Sequence, residues 1–270
     1  MTTADDYETY VAEAQQATMK GWDFSWLNGR ADGGGPSWDY EQRARVLLSR
    51  ARSLLDIDTG GGEFLAALTL LPPRSVATEY WVPNLRLARQ RLSPLGVEVH
   101  QASGSNLPPG PFDLVLNRHG VLDAAGIRTA LAPGGRLLTQ QVGSRNQLEL
   151  NEPLGIPAPA DPDSWTLDVA VRALEGAGLR VATAREEMSP YTFHDIGAVI
   201  FQLRAIPWQF PGFEPSEHES ALRRLDRRIR IAGGFTVRDH RFLIEAQAGR
   251  WSAVEPGRAA VDVPPGRCPH

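Results

Sequence analysis

The feature that most constrains this chain is the run LLDIDTGGGEFLAAL at residues 54–68. It reads as an apolar strand, a glycine turn at Gly60-Gly61-Gly62 and an amphipathic helix. A buried strand fed straight into a helix is half of a βαβ unit, and such units need a parallel sheet covered by helices. From residue 52 onward the sequence supplies the partners, as short apolar runs alternate with helical patterns. Strands are expected at 53–57, 75–79, 97–100, 112–116, 135–141, 179–185 and 235–246. Helices are expected at 63–70, 83–92, 121–131, 163–177, 193–206 and 216–230. The fold class is therefore α/β, with seven strands in a mostly parallel sheet and helices on both faces.

The flanks have a different texture. Residues 1–50 are polar with interleaved aromatics, and helices are expected at 4–19 and 39–51. Between them lies a loop with Gly29, Gly33, Gly34, Gly35 and Pro36. This part reads as a helical lid on a main domain covering 51–250. The stretch 187–233 is too long for a simple connection and reads as a helical cap inserted before the last strand. Residues 251–270 are proline-rich without periodicity and read as a flexible tail.

Composition narrows the partners. Hydrophobic residues make up 42% of the 270, enough for one substantial core, and no internal repeat is present. A net charge of −4 gives no basic surface for nucleic acid. The one basic run, residues 223–230, is broken by Asp226 and by apolar residues at helical spacing, so it reads as the solvated face of a helix. Cys268 is the only cysteine, which excludes an intramolecular disulfide and suits a reducing cytoplasm. No signal peptide and no apolar stretch of membrane-spanning length is visible. A monomer or a homodimer would fit equally. Lys20 is the only lysine, which reads as GC-rich codon usage.

The glycine turn suits the anionic part of a ligand, because glycine allows close approach and the following helix offers unpaired N–H groups. RSVATEYW at 74–81 reads as the next strand, with Glu79 at its tip. A carboxylate there faces the same crevice and can accept both hydroxyl protons of a ribose. Gly60, Gly62 and Glu79 together describe a nucleoside site. A dinucleotide turn would need a third glycine where Leu65 stands, and no Gly-Lys-Ser/Thr follows for a P-loop.

The ordered segments LLDIDTGGGEF, VATEYW, ASGSNLP (102–108), FDLVLNRHG (112–120) and LAPGGRLLTQQVG (131–143) resemble the class I, Rossmann-like S-adenosylmethionine (SAM)-dependent methyltransferases. The likeness covers about residues 46–185 and the last strand. It implies SAM as cofactor, S-adenosylhomocysteine as product and a small-molecule acceptor. It implies that Asp56, Gly60 and Gly62 hold the methionine moiety, that Glu79 holds the ribose, and that Tyr80 lies on the adenine face. Ser103 and Gly104 would meet the adenine amine, with Asn117 nearby at the tip of the fourth strand. Two positions depart from the pattern. Ser103 stands where an aspartate is common. Asp58 stands where glycine is usual; aspartate tolerates a left-handed backbone, and its carboxylate could accept from the SAM ammonium.

On the acceptor side, His119 at the fourth strand tip is the candidate base, with Gln141 at the fifth. His194, followed by Asp195 at the start of the cap, is a second candidate contact. His240 alternates with apolar residues and reads as structural, and no metal spacing or Gly-x-Ser-x-Gly elbow is present. Trp22, Trp26, Tyr40 and Trp208 come from two aromatic-rich flanks that could close on a flat acceptor. The expected chemistry is methyl transfer to O, N or C of a small aromatic or heteroaromatic molecule, in keeping with bacterial specialised metabolism. Competing readings are a SAM-binding protein without methyl transfer, cyclase-like or regulatory, and a nicotinamide-type oxidoreductase.

Overall fold

The computed structural model describes residues 4–18, 23–104, 106–207 and 209–249. In chain order the elements are α1 (Ala4–Gln16), β1 (Ala31–Gly33), α2 (Tyr40–Leu48), β2 (Ser53–Ile57), α3 (Glu63–Ala67), β3 (Arg74–Thr78), α4 (Val82–Leu92), β4 (Val97–His100), β5 (Phe112–Arg118), α5 (Ala124–Ala130), β6 (Leu131–Val142), α6 (Asn151–Leu154), α7 (Leu167–Gly176), β7 (Leu179–Phe193), α8 (Ile196–Ala205), α9 (Glu219–Ala232) and β8 (Phe235–Ala248). Trp22, Trp208 and the tail 251–270 lie outside the described residues.

One mixed sheet runs in the order β1-β7-β8-β6-β5-β2-β3-β4. Strands β2 to β6 are mutually parallel, while β8 is antiparallel to both β6 and β7. Every residue of β2 is buried, as a central strand covered on both faces requires. The chain runs outward through β3 and β4, then returns to β5 on the other side of β2. That reversal opens a crevice at the carboxyl ends of β2 and β5.

Two apolar layers sandwich the sheet. Leu47, Leu48, Leu65, Leu68 and Leu92 close one face, against Leu54, Leu114 and Leu138. Ile127, Ala170 and Leu174 close the other, against Leu55, Val115, Phe242 and Ile244. Each large side chain removed from water here contributes about 2 kcal/mol. Aspartates start three of the helices: Asp39 accepts from Gln42 N at 2.8 Å, Asp123 from Gly126 N at 3.2 Å and Asp195 from Ala198 N at 2.8 Å.

Two features differ from the sequence expectation. An eighth strand, β1, adds to the expected seven, pairing antiparallel with the end of β7 inside the glycine-rich loop. Three residues carry no readable period, and the glycines that follow masked it. The other difference is length. β7 continues to Phe193 and pairs with β8 as far as Phe235, whereas β6 leaves β8 at Arg241. This two-stranded arm projects about 20 Å past β6 at the usual rise per residue. Its tip carries the cap. Phe193 and Val237 from the arm, Ile196, Val199, Ile200 and Leu203 of α8, and Leu222, Leu225 and Ile229 of α9 share one core. Tyr7 and Ala14 of α1 belong to the same core, so the N-terminal helix and the cap form one packed body. The basic run is the outer face of α9, with Leu222, Leu225 and Ile229 turned inward.

Candidate cofactor site and acceptor cavity

The glycine turn hangs from the end of β3. Asp58 N donates to Thr78 Oγ1 at 3.1 Å and Thr59 N to Thr78 O at 2.8 Å. Asp58 takes φ +54°, Gly60 +65° and Gly62 +80°, so the aspartate occupies a left-handed position in the turn. A Cβ on Gly62 would lie 2.8 Å from Leu92 Cγ, which leaves glycine alone at that point. Leu65, in the place of a third glycine, is fully buried in the core.

Glu79 sits at the tip of β3 with its carboxylate turned back to the turn. It accepts from Trp81 N at 2.8 Å, and the Gly60 and Tyr80 amides lie close enough to favour its charged form. Burial raises its pKa and the neighbouring Asp58 charge adds to that, against these N–H donors. Tyr80, Trp81 and Val121 are exposed apolar surface beside it. Gly104 lies against Val121, which brings the Ser103-Gly104 loop to the same rim.

Asp58 also reaches across the crevice. Its Oδ2 accepts from Val121 N at 2.9 Å, tying the tip of β2 to the loop after β5. Burial raises its pKa. Asp56 is 3% exposed, and its pKa is pushed up to about 7. Burial is the main cause and the Asp58 charge adds to it, while the Thr59 hydroxyl and Arg118 oppose. Three partly or fully buried carboxylates thus lie at or beside the turn, and none of them is in an ion pair among the described residues; Arg91 touches the turn at Gly61 O and pairs with Glu63 instead.

The tips of β5 and β6 form the other wall. Asn117 is buried; its Nδ2 donates to Val121 O at 2.8 Å and its Oδ1 accepts from Gln141 Nε2 at 2.9 Å. Gln141 is buried as well and donates to Thr139 Oγ1 at 2.8 Å, so this pair shapes the loop from beneath. His119, at φ +66°, is exposed to the crevice on one side and packed on the others. Packing lowers its pKa first, and Arg241 and Arg118 lower it further. Trp38 Nε1 donates to Gln140 Oε1 at 2.7 Å, and Gln140 Nε2 lies 3.0 Å from His119 Nε2. Indole only donates, so the Gln140 oxygen faces Trp38 and its NH₂ faces the imidazole. His119 Nε2 therefore accepts, and the neutral ring carries its proton on Nδ1.

Beside this wall is a cavity of about 340 Å³ lined by Pro36, Ser37, Trp38, Asp39, Tyr40, Glu41, Phe64, Arg118 and Gln140. Tyr40 is buried, 5.4 Å from the Phe64 ring, with its hydroxyl on Leu138 O at 3.3 Å. Burial and Asp56 hold the phenol proton well above its usual range. Of these residues the sequence reading chose only Tyr40. Arg118 next to His119, and Trp38 two residues before Tyr40, were the available signals.

Other candidates lie elsewhere. Trp26 stacks on Phe201 of α8 at 4.9 Å under the Arg30 guanidinium, so it joins the N-terminal segment to the cap. His194 bonds Asp32 Oδ2 at 2.9 Å just past the end of β7, at the tip of the arm and three strands from β5, well away from His119. His240 is fully buried, with Nε2 on Glu186 Oε1 at 2.9 Å and Nδ1 accepting from Arg145 N at 3.2 Å. No cluster of three metal-ligating side chains is found among the described residues, and none of their helices is long and apolar enough to cross a membrane.

No protein-family model matches the sequence, and no curated protein does. Solved structures do match. A candidate methyltransferase from Bacillus halodurans C-125 aligns with a TM-score of 0.56 at 18% identity, over 78% of this chain and 99% of that one. A protein of unknown function from Deinococcus radiodurans R1 aligns with a TM-score of 0.53 at 16% identity, over 88% and 98%. The YcgJ protein of Bacillus subtilis aligns with a TM-score of 0.52 at 13% identity, over 78% and 98%. With its switch point between β2 and β5 and its antiparallel β8, the chain shares the Rossmann-like α/β fold of these structures, one of them a candidate methyltransferase.

Proposed function

We propose that this protein binds SAM in the crevice between β2, β3 and β5 and transfers its methyl group to a small molecule held near Gln140 and His119. The observation that carries the proposal is the Glu79 carboxylate at the tip of β3, close enough to the Gly60 amide and the Asp58 charge for both to act on it, beside the switch point. The turn that would receive the methionyl end and the acid that would receive the ribose thus stand side by side. Asp56, Asp58 and Glu79 favour a cationic ligand, and SAM brings an ammonium and a sulfonium. Tyr80 offers a face for adenine, with Ser103 and Gly104 at the rim.

Methyl transfer from a sulfonium is an in-line displacement, so positioning and exclusion of water supply much of the rate. The aromatic walls of the cavity suit an aromatic or heteroaromatic acceptor at O, N or C. The His119 lone pair is engaged by Gln140. It serves as a base only when that contact opens, and otherwise the ring offers its Nδ1–H to the acceptor.

The test is calorimetric titration with S-adenosylhomocysteine, followed by a screen for its release from SAM with an acceptor panel. Micromolar binding and release with an aromatic acceptor are expected. Binding without release across the panel would overturn methyl transfer. Binding of NAD in place of S-adenosylhomocysteine would overturn the cofactor assignment.

A further inference from the structure

The cavity holds one charge that nothing satisfies. Four charged side chains besides Arg118 stand on or beside its wall, and each is engaged; Arg185, over the Trp38 ring at 5.2 Å, donates to Ser37 Oγ at 2.9 Å and pairs with Glu187. Asp39 caps α2 through Gln42 N, Glu41 pairs with Arg45, and Glu187 takes both the amide and the hydroxyl of Ser37. Arg118 is exposed, and among the described residues it makes no hydrogen bond and no ion pair. Its guanidinium lies over the Phe64 ring at 5.0 Å and the Tyr40 ring at 5.9 Å. Stacking uses the face of the guanidinium and leaves its N–H edge open, the fork that fits a carboxylate through two parallel bonds. Asp56 feels this charge and is not paired with it.

The surroundings describe what accompanies the anion. Trp38, Tyr40 and Phe64 are the apolar walls, and Gln140 links the cavity to His119. With Arg185 already held by Ser37 and Glu187, the one guanidinium of this cavity left without a hydrogen-bond or ion-pair partner among the described residues matches a monoanion, and aromatic walls match a flat ring. The cavity lies at the tips of β5 and β6, whereas Glu79 and Tyr80 lie past β2 at the tip of β3, so the cofactor's nucleoside and this space occupy opposite sides of the switch point. We propose that Arg118 anchors the carboxylate of an aromatic acceptor, with the ring held between Trp38, Tyr40 and Phe64. As a statement about the acceptor it rests on the methyl-transfer reading above. As a statement about the cavity it stands on the unpaired guanidinium.

The experiment titrates the protein with naphthoate and with naphthamide, its neutral counterpart, in the absence of cofactor, and separately with S-adenosylhomocysteine. Naphthoate is expected to bind at least tenfold tighter than naphthamide. Arg118→Gln removes that preference, Arg118→Lys keeps part of it, and S-adenosylhomocysteine affinity in Arg118→Gln stays within twofold of the parent. Arg118 is exposed, so both variants should melt within a few degrees of the parent; if the Gln variant does not fold, the Lys variant must still show a reduced preference. Equal binding of the two probes, or no binding of either, overturns the proposal, as does a preference that survives in Arg118→Gln. A tenfold loss of S-adenosylhomocysteine binding in Arg118→Gln also overturns it, by assigning the guanidinium to the cofactor's own carboxylate. Failure of the parent to bind S-adenosylhomocysteine defeats the methyl-transfer reading and leaves the probe preference to be judged by itself.

Discussion

Asp56 shows how a buried acid burdens a fold. Its pKa near 7 lies above that of an exposed aspartate, so the folded protein holds a proton that the unfolded chain has released. The sign follows directly: this group destabilises the ligand-free protein progressively as pH rises from 4 through 7. At pH 8 the cost is about 4 kcal/mol at most. Asp56→Asn should therefore raise the melting temperature more at pH 8 than at pH 5, and should weaken SAM binding. Thermal melts and titrations at the two pH values check both halves. Asp58 carries a different load. Asp58→Gly relieves a left-handed side chain and removes the bond to Val121 N, worth about 1 kcal/mol. Stability should change little, while cofactor affinity should fall roughly threefold to tenfold as the loop at 119–121 loosens. A clear gain in affinity would contradict this assignment. His119 should stay neutral from pH 8 down to pH 5 with its proton on Nδ1, visible in its ring ¹⁵N shifts, and Trp38→Phe should free Gln140 and blur that preference.

At the scale of elements, the segment between β1 and α2 is the most constrained connection. Gly33, Gly34 and Gly35 all have positive φ, and they deliver Trp38 to Gln140. A Cβ on Gly34 would lie 2.9 Å from Asp239 Oδ2 and from the Tyr191 ring, whereas one on Gly35 meets nothing within 4 Å. Gly35→Ala should thus cost about 1 kcal/mol from backbone strain alone. Gly34→Ala should cost clearly more, and urea unfolding of the two variants measures the gap. Much of the sheet was legible beforehand because buried parallel strands such as Leu54 to Ile57 are apolar throughout. The turn was legible too, since Gly60, Gly62 and Glu79 stand at separations set by backbone geometry. The outer half of β7 was not. Glu187, Ser189 and Pro190 fell in the expected inserted cap, and their strand pairing is dictated by β8 and β1 rather than by their own pattern. Arg118 escaped notice because a lone arginine carries no spacing signal. Only the neighbours that the fold brings from Tyr40 and Phe64 reveal it.

Across the whole molecule, the N-terminus and the cap are one mechanical unit. Tyr7 and Ala14 are buried against α8, Arg204 donates to Ala14 O, and Arg223 of α9 pairs with Glu8. Truncation before residue 17 should cost about 3 kcal/mol from lost burial. It should also raise hydrogen exchange in α8 and α9 while leaving β2 and β5 protected. The arm of β7 and β8 that carries this unit has a further consequence. Side chains alternate with period two along each strand, so removing or adding two residues in both would move the cap by about 7 Å and keep every face oriented. A one-residue change would turn the cap's apolar side to water. The arm is therefore a ruler graduated in residue pairs, and its length sets how far the packed cap and N-terminal helix stand from the end of β6.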